Sequence, residues 1–418
     1  MELQLGNIGS AKDNATSAIH NWYKFTAGFS YKFVDLIVDE QEERPSTIFE
    51  PFAGCGTTLV AAQKKKIPSV GNESQQLMCD IINAKLNWDI DKWCCQGYMK
   101  NINEYLKYNL HSDAVLSESH ELLKTLYDKE TLKTLYLIRD AIRLIKEEKY
   151  VLFFNLALSQ TLHKSALHPI AVPYIVRSKN IVNSGDAWGK FNSIINQMLT
   201  DLATMPHHQR YAEVYKADSR KKNPKIEDNS CDLCITSPPY LNNLDYGEVS
   251  KVHSHFFGLT KDWHDITEKI RKELVTGATT HYKDCDFDIE VFRSSEFAIA
   301  NDKLMKELEP RFLYLQKYSN VRSGKKSFHI LMMHYFEDMY HVLKEMRRIL
   351  KPRSSSYLIL GDSAPYGAYI PTTQFLGDIA MSVGFSEYRI DKIRSRGHKW
   401  KIKTRHNVEL SENILQLI

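Results

Sequence analysis

Residues 46 to 73 constrain this chain more than any other stretch. STIFEPFAGCGTTLVAAQKKK (46 to 66) opens with a short β-prone run, passes through a Gly-x-Gly turn and continues as an alanine-containing amphipathic segment, so it reads as strand, turn, helix. About twenty residues past the first glycine, SVGNES supplies a second short strand ending in Glu73, which makes a βαβ start with an acid at the second strand tip. A glycine pair between strand and helix lets backbone N–H groups approach a ligand closely. The G-K-[ST] ending of a P-loop is missing, and Thr57 and Thr58 stand before any third glycine, which disfavours pyrophosphate. The expected ligand carries a ribose and little phosphate, with Glu73 accepting hydrogen bonds from the ribose hydroxyls.

The whole sequence divides into five parts. Residues 1 to 97 hold an N-terminal motif and the ligand-binding half of an α/β domain. From 98 to 205 the period is helical: Leu135, Ile138, Ile142 and Ile145 share one face, and Phe191, Ile194, Ile195, Met198 and Leu202 another. Two prolines and several β-branched residues in 168 to 180 demand an extended segment or loop there. Sheet character returns in 206 to 249 with YAEVYKADS and DLCITSPPY, whose ends lie on the same edge of a parallel sheet. Residues 250 to 327 are charged and irregular and read as a second insertion. From 328 to 418 a helix, the strand YLILGDS, the helix TQFLGDIAMSVG and the strands SEYRIDKI and ENILQLI follow, the last two predicting an antiparallel hairpin at the sheet edge.

Composition narrows the function classes. The 418 residues carry a net charge of +4 and are 43% hydrophobic, which excludes a chain that is mainly disordered. No apolar run approaches the roughly 18 residues a membrane span requires, and the first residues lack a cationic then apolar leader, so the expected location is cytoplasmic. Seven scattered cysteines argue against a disulfide framework and for a reducing compartment. Cys231 and Cys234 form a C-x-x-C, but on a strand residues three apart point to opposite faces, so they read as small core residues. His207 and His208 have no partners at metal-ligand spacing, and no metal site is expected.

The discriminating element is TSPPY, 236 to 240. Two prolines remove two backbone donors and stiffen the turn, so the carbonyls of Ser237 and Pro238 project as acceptors beyond the strand end, an arrangement that suits an amino group. Pro239 completes the turn, and Tyr240 offers a flat face on which a planar base can stack. A rigid loop without a ligand is the competing reading of these residues taken alone.

Together, EPFAGCGTT, Glu73 and SPPY resemble the amino DNA methyltransferases, which transfer a methyl group from S-adenosylmethionine to N4 of cytosine or N6 of adenine. The match covers most of the chain outside the two insertions. It implies a Rossmann-like class I methyltransferase sheet, mostly parallel with an antiparallel edge hairpin, plus helical insertions. It also implies that Phe52, Gly54 and Gly56, with Glu50 before them and Thr57 after, hold the methionine part of the cofactor. The ribose acid falls on Glu73, the acid meeting the adenine amino group on Asp218, and the catalytic motif on Ser237, Pro238, Pro239 and Tyr240. The family's N-terminal motif resembles residues 20 to 37, with Lys24, Phe25 and Phe29 as cofactor contacts. Serine at the head of the catalytic motif implies cytosine N4, with adenine N6 as the alternative. An RNA base or protein amide substrate, and a non-catalytic subunit that binds cofactor and DNA, remain as further readings.

Asn243, Asp245 and Tyr246 follow the catalytic turn and either line the base pocket or cap the next helix. The family's L-K-P-G-G is here Lys351-Pro352-Arg353-Ser354, without the glycine turn. The basic run 392 to 406 offers Arg394, Arg396, Lys399 and Trp400 as contacts to double-stranded DNA, either that or a solvated face. Further DNA contacts are expected in 177 to 180 and 320 to 327, and target recognition in one or both insertions. The resemblance also implies a restriction-modification setting, with a cognate restriction endonuclease as partner.

Overall fold

The computed structural model describes residues 8–25, 27–117, 119–170, 175–181, 184–206, 208–279, 287–321, 326–396 and 409–418. Along the chain, α1 (Tyr31–Asp39) precedes β1 (Ile48–Glu50), α2 (Thr57–Lys64), β2 (Ser69–Glu73) and α3 (Gln76–Leu86). Five helices then run in succession: α4 (Lys92–Asn109), α5 (Glu121–Leu126), α6 (Lys129–Ile142), α7 (Glu148–Ser165) and α8 (Ala187–Ala203). After β3 (Ala212–Lys216) and β4 (Cys231–Thr236) come α9 (Tyr246–Phe257), α10 (Trp263–Lys269), α11 (Ile289–Phe292), α12 (Glu296–Ala300), α13 (Asp302–Val321) and α14 (Phe328–Ile349). The chain closes with β5 (Leu350–Gly361), α15 (Thr372–Ser382), β6 (Tyr388–Arg396) and β7 (Leu410–Leu417).

The described strands form one sheet in the order β3-β2-β1-β4-β5-β7-β6. Pairings from β3 through to β5 are parallel, and β7 pairs antiparallel with both β5 and β6. The expected edge hairpin is therefore present. All three residues of β1 are buried, as a central strand covered on both faces requires. Strand order reverses beside β1: the chain moves outward to β2 and β3, then returns to lay β4 and β5 on the other side. In open α/β sheets such a reversal opens a crevice at the carboxyl ends of the two strands. Here those ends are Glu50 and Thr236, so the glycine turn and the Ser-Pro-Pro turn enter one crevice from neighbouring strands.

Helices within residues 98 to 205 share a core with α2 and α3: Leu135, Ile138, Phe153, Phe154 and Phe191 belong to one buried cluster with Leu59 and Val60 of α2 and Leu77 and Ile81 of α3. A second cluster joins α14 and α15 to β4, β5 and β7. Phe328, Leu331, Met332, Tyr335, Met339 and Met346 are buried along α14, the face that the periodicity predicts.

Three details depart from the sequence reading. Residues 250 to 327 are less irregular than their charge suggests, because α13 runs for 20 residues with Pro310 inside it. Strand β5 begins earlier, at Leu350, and passes through Lys351-Pro352-Arg353 with an irregular register against β4; Arg353 adopts φ +65°, the left-handed conformation for which the related glycine turn is suited. Cys231 and Cys234 pack into the same cluster rather than on opposite faces, since the β4–β5 register shifts between Cys231 and Leu233. No helix among the described residues is long and apolar enough to cross a membrane. No group of His, Cys, Asp or Glu among them is placed to hold a metal ion.

Candidate active site

A cleft of about 780 Å³ lies over the carboxyl ends of β1, β2, β3 and β4. Phe52, Gly54 and Thr57 line it from the turn after β1 and the start of α2, and Gly54 holds φ +54° with its Cα facing the Phe25 ring. A Cβ there would meet Phe25 Cε1 at 3.4 Å, an ordinary contact, so it is the left-handed backbone that asks for glycine. Phe25 and Phe29 close it from the N-terminal segment. That segment is pinned by Asn14, whose Nδ2 donates to the Phe29 carbonyl at 2.9 Å and whose Oδ1 accepts from Tyr31 N at 2.9 Å.

Glu73 ends β2 inside the cleft, and its carboxylate accepts from Gly54 N at 2.9 Å and Gln75 N at 2.8 Å. Burial pushes its pKa up to about 7 in spite of those donors. Asp218 lies in the same cleft, clasped by Arg220 through paired 2.9 Å contacts. Burial alone would raise Asp218, but the guanidinium outweighs it and holds the carboxyl below its ordinary range. The environments of the two acids at the tips of adjacent strands thus push their carboxyls in opposite directions.

Other expected ligand residues stand elsewhere. Glu50 is fully buried behind the cleft, accepting from Phe52 N at 2.9 Å, from Thr58 Oγ1 at 2.7 Å and from Thr236 Oγ1. It ties β1, α2 and β4 together beneath both turns, and burial pushes its pKa up to about 8. Gly56 caps α2 at φ +85° with Ile82 pressed against it, where a Cβ would stand 3.1 Å from Ile82 Cγ1. Lys24 lines a neighbouring cavity with Lys12, His20 and Lys164 instead of the cleft.

Ser237 forms part of the cleft wall and also of an adjoining pocket of about 630 Å³, which Pro238, Tyr240, Asn243, Tyr246, Arg394 and Glu412 line. Its hydroxyl donates to the Ile359 carbonyl at 3.1 Å, so the oxygen's lone pairs remain to face the pocket. Tyr335 Oη donates to the Pro239 carbonyl at 2.9 Å, and Ser363 Oγ to the Leu241 carbonyl at 3.0 Å, which brace the turn from α14 and from the end of β5. Tyr246 touches both cavities and is half-buried, and desolvation of its hydroxyl raises the phenol.

Asp245 takes the capping alternative: it accepts from Gly247 N at 3.1 Å and Glu248 N at 3.2 Å at the start of α9, and pairs with buried Arg271 at 2.6 Å. Arg394 reaches the second pocket but is ion-paired to Glu412 at 2.7 Å. Arg396 ends β6, while Lys399, Trp400 and His207 lie outside the described residues, as does part of 320 to 327. Within 177 to 180, Arg177 donates to Thr125 Oγ1 at 3.3 Å, and residues 177 to 180 are exposed.

Sequence reasoning missed Glu273, Leu274 and Val275, which wall the cleft from the segment after α10, and Glu412 on β7. No short motif surrounds either group. A carboxylate in a strand otherwise rich in apolar residues, SENILQLI, is the only signal Glu412 leaves in the sequence.

Comparison with known proteins points to one activity. The chain is 22% identical over 433 residues to the type II methyltransferase M.BsoBI of Geobacillus stearothermophilus, an alignment covering 93% of this chain and 82% of that protein. It is 22% identical over 412 residues to the type II methyltransferase M.AvaI of Nostoc sp., covering 92% and 82%. With the type II methyltransferase M.MvaI of Kocuria varians it shares 20% identity over 417 residues, covering 93% and 85%. No family model matches the chain. Similarity over more than 90% of this chain and more than 80% of each of three such enzymes supports a methyltransferase.

Proposed function

We propose that the protein is an S-adenosylmethionine-dependent DNA methyltransferase of the Rossmann-like class I type, acting on the exocyclic N4 of cytosine in a restriction-modification system. One observation carries the reading: Ser237, its hydrogen committed to Ile359, stands in the wall between a cleft suited to the cofactor and a pocket suited to a base. The type II methyltransferases to which the chain is similar support the DNA substrate and the setting.

The residues of the cleft fit the cofactor. Gly54 lets the turn take its left-handed bend, Phe52 and Phe29 offer apolar contact, Glu73 accepts from ribose hydroxyls, and Asp218 accepts from the adenine amino group. Thr57 adds a hydroxyl at the start of α2. S-adenosylmethionine supplies a methyl group on a sulfonium with a neutral thioether as leaving group.

An amino nitrogen conjugated into a base ring is a poor nucleophile. Ser237 Oγ and the Pro238 carbonyl accept its hydrogens, favouring a pyramidal nitrogen whose lone pair points across the wall toward the cleft. Tyr240 gives the base a face to rest on. The methylated nitrogen is acidic and sheds its proton afterwards, so no strong base is required in the pocket. Because a paired base cannot reach Ser237, the target nucleotide leaves the duplex stack.

The Glu73 shift gives a testable consequence. Its folded-state pKa lies above the ordinary 4.5, so the folded protein binds the extra proton between about pH 4.5 and 7. Stability of the ligand-free protein from this group therefore falls as pH rises across that window. Cofactor binding favours the ionised carboxylate, so affinity for S-adenosylmethionine is expected to rise through pH 7 and level off above it. Calorimetric titration at pH 6, 7 and 8 checks this; Glu73→Gln should flatten the profile and weaken binding. The reading as a whole is tested by transfer of labelled methyl from S-adenosylmethionine to duplex DNA, with RNA and protein as parallel acceptors, and label confined to RNA or protein refutes it.

A further inference from the structure

Glu412 has no part in the chemistry above, yet it lies in the pocket that holds Ser237, Pro238 and Tyr240. Its side chain is 4% exposed. A carboxylate so deeply buried is costly unless its partners are well placed. Its two oxygens face different groups: Tyr240 Oη donates to Oε1 at 3.1 Å, and Arg394 Nε stands in ion-pair range of Oε2 at 2.7 Å.

Two features of the backbone serve this arrangement. The β6–β7 register shifts between Lys392 and Arg394, after which Arg394 stands directly opposite Glu412. Bulges of this kind re-aim a side chain at the cost of local pairing. On the other side the main chain at Gly9 lies so close that any Cβ there would overlap the Glu412 carboxylate. Glu412 is thus confined between a cation, a backbone without a side chain and the Tyr240 hydroxyl.

We propose that Glu412, held by Arg394, is a positioning residue that fixes the Tyr240 ring and so sets the angle at which the target base meets Ser237. This rests on the methyltransferase reading and adds a role for the edge hairpin: β6 and β7 carry the support for the catalytic turn, 172 residues away in sequence. Arg394, whose side chain is 40% exposed, then serves the catalytic turn before it serves any DNA phosphate.

The test compares the full-length wild type with Glu412→Ala, Glu412→Gln, Tyr240→Phe and the Tyr240→Phe/Glu412→Ala double variant. Initial rates are measured on duplex DNA, and affinity for S-adenosylhomocysteine by calorimetry. Glu412→Ala and Tyr240→Phe should each lower kcat between about tenfold and 10²-fold, the scale of a small misplacement at the reacting centre. Cofactor affinity should stay unchanged, and the double variant should be no slower than the worse single one. Glu412→Gln, which keeps an acceptor for Tyr240, should recover part of the rate. An unchanged kcat in Glu412→Ala, effects that multiply in the double variant, or a cofactor affinity that falls in step with kcat would each overturn the proposal. Tyr240→Phe deletes one hydroxyl and decides the matter alone if Glu412→Ala does not fold. A wild type inert toward DNA overturns the methyltransferase reading as well, whereas an active wild type with an indifferent Glu412→Ala overturns only this inference.

Discussion

Alanine at position 237 is expected to lower kcat about 10²- to 10³-fold, the scale seen when one preorganised polar contact to a reacting group is removed. Affinity for S-adenosylhomocysteine should barely change, because the hydroxyl touches the cleft only at its wall. The orientation of that hydroxyl explains the size of the effect. Its hydrogen is held by the Ile359 carbonyl, so the oxygen is preset as an acceptor before a base arrives. Alanine removes the acceptor and leaves the turn itself intact, since Tyr335 and Ser363 brace its carbonyls independently. Rates with duplex DNA and calorimetry with S-adenosylhomocysteine separate the two quantities. Full activity in Ser237→Ala would remove Ser237 from the reaction, and an equal loss of cofactor affinity would assign it to the cleft.

The largest effect on stability is expected at Arg271. This buried guanidinium pairs with the buried Asp245 at 2.6 and 3.0 Å and lies over the Trp263 ring at 4.3 Å. Arg271→Ala leaves the Asp245 carboxylate buried with its countercharge gone, which costs about 3–5 kcal/mol by the behaviour of broken buried pairs. The cap of α9 loosens with it, and α9 begins at Tyr246, which lines both cavities. Urea unfolding should therefore show a lower midpoint with little change in slope, and kcat measured well below that midpoint should fall as well. Asp245→Asn/Arg271→Met, which removes both charges, should recover much of the stability. A loss below about 1 kcal/mol in Arg271→Ala would mean that the pair is solvated and the cap independent of it.

Local chemistry with a fixed spacing was legible in the sequence; chemistry assembled from distant segments was not. The strand–turn–helix at 46 to 66 and the acid at 73 announce themselves because glycine at a positive φ and an acid at a strand tip are both short-range signals. The edge hairpin was likewise visible in two alternating runs near the C-terminus. Glu50 shows the limit: the same pattern that flags it cannot tell a residue lining a cleft from one bracing the turns behind it, and only the contacts with Thr58 and Thr236 separate these. Asp245 left a base contact and a helix cap equally open until Arg271, 26 residues away, entered the account. Charge misled in residues 250 to 327, where exposed Lys and Glu on α13 obscure a buried stripe of Leu304, Leu308, Phe312 and Leu315. Arg394 looked like a free cation in a basic run because its partner Glu412 sits on the following strand.

The most direct test of the account is to incubate the purified protein with unmethylated bacterial genomic DNA and labelled S-adenosylmethionine and to identify the modified nucleoside by mass spectrometry. The account predicts N4-methylcytosine. N6-methyladenine would contradict the reading of Ser237 while leaving the cleft and the catalytic turn in place, and DNA that gains no methyl group would contradict the central claim.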